Sequence, residues 1–145
     1  MKLVIQRVSS AKLEVDGKIV SEIDKGMLVL LGISNTDNSS QIEWLAKKLV
    51  DLRIFADENS KMNLSINDVQ GEILLVPQFT LYANCKKGRR PDFNNAARPD
   101  IAEKLYLEFA EELKKNGIDP RLGIFGAHMN VSLTNDGPVT IILER

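Results

Sequence analysis

The chain has 145 residues, 43% of them hydrophobic and 27% charged, with 19 Lys and Arg against 20 Asp and Glu for a formal charge of -1. That length is one domain's worth, 1–145, able to bury roughly 68–70% of its unfolded surface, and the balance excludes both a disordered chain and a polycation. One cysteine (Cys85) and one histidine (His128) exclude an intrachain disulfide and any Cys/His zinc set, which needs three or four ligands.

In chain order, Lys2 to Ser9 alternates as a strand, with Leu3 and Ile5 on one face and Val4 and Gln6 on the other. Its apolar character is broken by Gln6 and Arg7, too early for a signal peptide. A second alternating run, Ala11 to Val15, meets Asp16-Gly17 and then Lys18 to Ile23, a strong hairpin signal. Gly26 to Ile33 is apolar throughout and predicts a central strand covered on both faces; it is far short of the roughly 20 residues a membrane span needs. With a single thiol and neither export nor membrane signal, the expected compartment is the cytoplasm.

Ser40-Gln41-Ile42-Glu43 predicts a capping box, followed by a helix with Ile42, Leu45, Leu49 and Leu52 on its buried stripe and Trp44 at its boundary. A short strand is expected over Arg53 to Ala56 and another from Gly71 to about Gln78. The clearest helix follows Pro99, capped by Asp100 with Glu103, buried along Ala102, Leu105, Tyr106, Phe109 and Leu113, and ended by Asn116-Gly117. Two late strands are predicted, roughly Gly123 to Leu133 and Pro138 to Leu143. The order predicts an α+β fold with an antiparallel or mixed sheet closed partly by two main helices; no Gly-x-Gly-x-x-Gly element opens a helix after the first strand, so a dinucleotide-binding fold is a poor fit.

Among candidate working groups, His128 lies in an apolar, strand-like run, which favours a strand-face or partner-contacting histidine over a general base. Cys85 sits among basic residues without a residue to orient it. Thr80, at a predicted strand end, is a weak nucleophile unless a base activates it, and Phe79 beside the basic stretch suits stacking as well as core. Lys86, Lys87, Arg89, Arg90 and Arg98 fall within thirteen positions with Asp92 as the only acid among them. On one face they would focus a positive field; spread out they are a solvated loop. Asn135-Asp136-Gly137-Pro138-Val139-Thr140 reads as a turn, yet Gly leaves the backbone open and an X-Pro bond alone reaches the cis form at modest cost. The working site is therefore expected around Gly137-Pro138, in preference to a triad or a metal.

The chain resembles the D-aminoacyl-tRNA deacylases, also called D-tyrosyl-tRNA deacylases. The resemblance rests on Val4-Ile5-Gln6-Arg7-Val8, the Asp16-Gly17 hairpin, Leu52-Arg53-Ile54-Phe55, Gln78-Phe79-Thr80-Leu81, Lys86-Lys87-Gly88-Arg89-Arg90-Pro91, Gly123-Ile124-Phe125-Gly126-Ala127 and the segment from Asn135 to Thr140, and spans essentially the whole sequence. It implies a homodimer with a barrel-like sheet core, no cofactor, and sites at the subunit interface. The implied activity is hydrolysis of the ester joining a D-amino acid to the terminal ribose of tRNA, and of glycine mischarged on tRNA(Ala). It further implies a cis Gly137-Pro138 bond that enters the partner's pocket and excludes L side chains, with Arg7 as its anchor. The backbone at Gln78 and Phe79 is then the oxyanion-stabilising element, and Thr80 lines the pocket or serves as nucleophile. Phe125, Ala127 and Met129 would line the terminal adenosine pocket, and Lys86, Lys87, Arg89 and Arg90 would meet phosphates. One departure stands out: the family has serine where this chain has Pro77, which offers neither hydroxyl nor N–H.

Overall fold

A computed structural model describes all residues from 1 to 145. Strand β1 (Lys2–Val15) runs on without a break where two runs were expected, and a tight turn joins it to β2 (Lys18–Ile23). Asp16 and Gly17 both have positive φ, 50° and 73°, the pair of conformations a two-residue hairpin requires. Strand β3 (Gly26–Gly32) then continues beside β1 on the same edge, with Val8 opposite Gly26 and Lys2 opposite Gly32.

Helix α1 (Ile42–Val50) buries Ile42, Leu45, Ala46, Leu49 and Val50; Leu52 falls beyond its end. The expected cap is displaced by two residues. Asn38, not Ser40, begins the box, accepting from the Ser40 N–H while Gln41 accepts from the Asn38 N–H, and a 3-10 turn over Ser39–Gln41 leads into the helix. A small hairpin follows, β4 (Phe55–Ala56) with β5 (Met62–Leu64). Strand β6 (Glu72–Pro77) pairs parallel to β3.

Helix α2 (Pro99–Lys115) starts with proline at its first turn, where a missing N–H costs nothing. Asp100 does not cap it; its carboxylate pairs instead with Arg98, 3.3 Å away. Gly117, at φ 90°, closes the other end, with the Ile118 N–H on the Leu113 carbonyl at 3.0 Å.

The two late strands are not as expected. Strand β7 is only Arg121–Leu122, and Gly123 to Met129 is irregular, because Gly126 at φ 74° turns the chain and the Ala127 N–H bonds to Ile124 O. Asn135 to Thr140 is no turn between strands but the middle of one strand, β8 (Asn130–Glu144), antiparallel to β1 along its whole length. The irregularity is absorbed as a bulge: Gln6 pairs with Thr140 and Ser10 with Thr134, so four steps on β1 face six on β8.

The mixed sheet runs β2-β1-β3-β6-β7, with β8 on the other edge of β1. It curls until β2 meets β7, where the Ser21 hydroxyl donates to the Leu122 carbonyl at 2.6 Å, giving a nearly closed barrel. Both faces of β3 and β6 are apolar because each has a cover. Met27, Val29, Leu31, Ile73 and Leu75 pack under the helices; Leu28, Leu74 and Val76 fill the barrel with Val8, Ala11, Leu13 and Ile23. No helix is long and apolar enough to cross a membrane.

Candidate active site

The end of β6 opens onto a cavity of about 580 Å³, within the range of small-molecule pockets. Its floor is Leu31, Ile33 and Val76; one wall is Pro77, Gln78 and Phe79, and a second is the irregular stretch from Phe125 to Met129. Phe93, Ala96, Ala97 and the first turn of α2 complete it. Phe93 gives no sequence signal beyond being aromatic near a basic run, yet its ring meets Phe79 edge-on at 5.0 Å.

Two buried contacts set the walls. Tyr106, from α2, brings its hydroxyl within 2.9 Å of Leu75 O and 3.2 Å of Gly123 O, so one group joins β6 to the second wall. Burial pushes its phenol upward in pKa. Gly32, at the end of β3, leaves space for the 3-10 turn Phe79–Tyr82 to lie against the strand. Burial, reinforced by the charges of Asp37 and Glu144, pushes Tyr82 of that turn up to about 12.

The groups on Gln78, Phe79 and Thr80 fall into distinct roles. The Gln78 N–H donates to Leu31 O at 2.8 Å, extending the sheet ladder. The turn's first internal bond is Leu81 N–H to Gln78 O, so the N–H groups of Phe79 and Thr80 precede it and have no partner within the turn. The Gln78 side-chain amide donates to Thr80 Oγ1, occupying one of that oxygen's two lone pairs and fixing the hydroxyl's orientation. His128 is exposed on the second wall, not on a strand face, and enters no hydrogen bond or ion pair with a candidate nucleophile.

Pro77 costs the sheet nothing. Successive N–H groups along a strand point to opposite neighbours; Gln78 points to β3, so the missing N–H of Pro77 faces β7, which pairs only at Leu74 and Leu75.

The basic residues Lys86, Lys87, Arg89 and Arg90 are all exposed, on an excursion closed by reciprocal backbone bonds between Asn84 and Asp92, 2.7 and 3.0 Å. Phe93 follows at once, so this loop leads directly into the cavity wall. The free thiol of Cys85 is exposed at its start.

Gly137 and Pro138 lie elsewhere, exposed on the bulge of β8 and outside the lining of their own chain's cavity. Their peptide bond is cis. Arg7 holds the bulge, with Nε donating to the Asp136 carbonyl at 2.9 Å and a terminal nitrogen to the buried Ile54 carbonyl at 2.5 Å. Strand β8 pairs with β1 alone, leaving fifteen residues of unpaired edge with Ile142 at 66% exposure.

Residues 4–144 match the family described as D-Tyr-tRNA(Tyr) deacylase. The chain belongs to that family. It is 56% identical over 144 residues to a D-aminoacyl-tRNA deacylase of Thermosipho africanus, covering 99% of this chain and 97% of the relative. It is 55% identical over the same length to one from Clostridioides difficile. A solved structure titled "c-Myc DNA Unwinding Element Binding Protein" superposes with a TM-score of 0.95 at 44% identity, covering 100% and 99% of the two chains. A probable eukaryotic D-amino acid tRNA deacylase shares the fold, TM-score 0.82 at 21% identity. For this deacylase-family chain the match takes in the cavity walls, the basic loop and the Gly137-Pro138 bulge together.

Proposed function

We propose that the protein is a homodimeric, cytoplasmic hydrolase that removes D-amino acids, and glycine mischarged on tRNA(Ala), from the acceptor end of tRNA. The observation that carries this reading is a cavity with an unpartnered Phe79 N–H on its rim and no base placed beside a nucleophile. An ester needs little more than orientation and charge stabilisation. Water adds to the carbonyl carbon, negative charge builds on the carbonyl oxygen, and the carbon–oxygen bond to the ribose breaks with a proton passing to the departing ribose oxygen. A preorganised N–H aimed at that oxygen is worth about 3–4 kcal/mol, and the Phe79 N–H takes this role, the Gln78 N–H being engaged by Leu31. The neighbouring ribose 2'-hydroxyl assists the proton transfers, Thr80 orients rather than attacks, and no cofactor is required.

The terminal adenosine occupies the apolar cavity against Phe125, Ala127 and Met129. Lys86, Lys87, Arg89 and Arg90 meet acceptor-end phosphates, a sequence-blind contact that leaves identity to the ester and its chirality. A second copy pairs along the free edge of β8, and the Gly137-Pro138 bulge then enters the partner's cavity. Its carbonyls receive the substrate's amino group and its bare backbone occupies the space an L side chain would need. Arg7 holds it in place. The missing N–H of Pro77 removes no sheet bond, so this reading includes no impairment through a displaced strand end.

Hydrolysis of D-Tyr-tRNA, Gly-tRNA and L-Tyr-tRNA by wild type, Thr80→Ala, His128→Ala and Pro77→Ser tests the scheme. Turnover of the D and glycyl esters that survives loss of His128 is expected. Collapse in the folded His128 variant alone would establish a conventional base instead.

A further inference from the structure

Arg7 accounts for only one side of the bulge. Past Gly137 and Pro138, β8 rejoins β1 at the pair Thr140 and Gln6, and Val139 is the first residue beyond the proline. Asn135, paired with Val8 just before the bulge, reaches forward across it. Its Oδ1 accepts from the Val139 N–H at 2.7 Å, and its Nδ2 donates to the Val139 carbonyl at 3.2 Å and to Thr140 Oγ1 at 3.1 Å. The Gln6 side chain donates to the same hydroxyl oxygen at 3.3 Å.

One carboxamide therefore engages both polar groups of the residue where the excursion ends, closing residues 136 to 138 into a ring. The requirement on the side chain is narrow: a donor and an acceptor on one short planar group. Aspartate supplies only acceptors, and serine offers one oxygen where asparagine offers two separate atoms.

We propose that Asn135 is a positioning residue for stereochemical selection: Arg7 fixes the entry to the Gly137-Pro138 segment and Asn135 its exit, and together they set the direction of its carbonyls. This rests on the assignment of that segment to the rejection of L substrates. A residue that merely stabilised the fold would lower the unfolding temperature and leave selectivity alone.

The test uses the full-length dimeric protein, with kcat and KM for D-Tyr-tRNA and L-Tyr-tRNA measured on wild type, Asn135→Ala and Asn135→Asp, beside amide exchange at Val139. Losing the Val139 bonds is expected to raise Val139 exchange about ten-fold and to lower the D-over-L ratio of kcat/KM at least about ten-fold. Asn135→Asp, which keeps the acceptor for the Val139 N–H, recovers part of both. A folded Asn135→Ala protein with the wild-type ratio overturns the proposal, as does unchanged Val139 exchange. If the alanine variant does not fold, the aspartate variant decides: a wild-type ratio overturns the proposal and a reduced one supports it. Wild type inactive on the D ester would overturn the functional reading, while the exchange measurement would still decide whether Asn135 holds the segment.

Discussion

Replacing Gly32 by alanine places one methyl group where the strand and the Phe79–Tyr82 turn touch. The new Cβ would lie 2.9 Å from Leu81 Cβ, 3.2 Å from Gln78 O and 3.3 Å from Tyr82 Cδ2. Carbon atoms rest at about 3.5–4.0 Å, so the turn must retreat by roughly 0.6–1 Å. Gly32 is not at positive φ, so alanine adds crowding without backbone strain. Overpacking of this kind costs about 1–3 kcal/mol against a typical total of about 5–15, so the variant folds. All three crowded atoms belong to the segment that holds the Phe79 N–H, and a misplacement near 1 Å at such a group costs up to about 100-fold in rate. The assay is single-turnover hydrolysis of D-Tyr-tRNA, with thermal unfolding alongside and Leu113→Ala, buried towards the end of α2, as a variant destabilised away from the cavity. A drop of roughly 10- to 100-fold is expected for Gly32→Ala and almost none for Leu113→Ala. Equal rates for Gly32→Ala and wild type would refute the claim that the turn's position is catalytic.

Arg7→Lys keeps the charge but loses the planar fork that spans Asp136 O and Ile54 O, so D-over-L selectivity should fall at least about ten-fold in the same kinetic assay. Changing Lys86, Lys87, Arg89 and Arg90 to alanine should weaken tRNA binding and flatten the plot of log affinity against log salt by up to about 3 in slope, measured by filter binding. Tyr82 titrates in the folded protein at about 12, above its usual 10, so its contribution to stability is complete below pH 10 and is lost as pH rises towards 12. Denaturant titrations from pH 9 to 12 should show that decline, and a shallower one in Tyr82→Phe.

Much of the scaffold was legible because local chemistry and tertiary context agree. Asp16-Gly17 demanded a hairpin, the apolar run at β3 demanded cover on both faces, and both received it. The late strands depart from the sequence pattern for a reason lying in single backbone angles: Gly126 at positive φ breaks the expected early strand, while the bulge lets β8 run through Gly137-Pro138. The α1 cap lies two residues earlier than the pattern suggests because Ser40 and Asn38 both suit that role, and only the 3-10 turn decides between them. The Gln-Phe-Thr run supplies the cavity-wall residues Gln78 and Phe79, but no sequence rule says which N–H is spent on Leu31. Phe93 reaches the cavity, and the Tyr106 hydroxyl reaches the backbone behind its walls, through folding alone.

The central claim is that each cavity is completed by the other subunit's Gly137-Pro138 bulge, and subunit mixing tests it most directly. Gly137→Ala spoils the bulge: Gly137 sits at φ 137°, and a Cβ there would meet Val139 Cγ2 at 2.8 Å and Arg7 Nη2 at 3.0 Å. Gly32→Ala spoils the cavity. Unfolded together and refolded, the two variants should form mixed dimers with one intact site each, restoring selective D-Tyr-tRNA hydrolysis to about one quarter of the wild-type level. Mixed dimers no more active or selective than the separate variants would contradict a site shared between subunits.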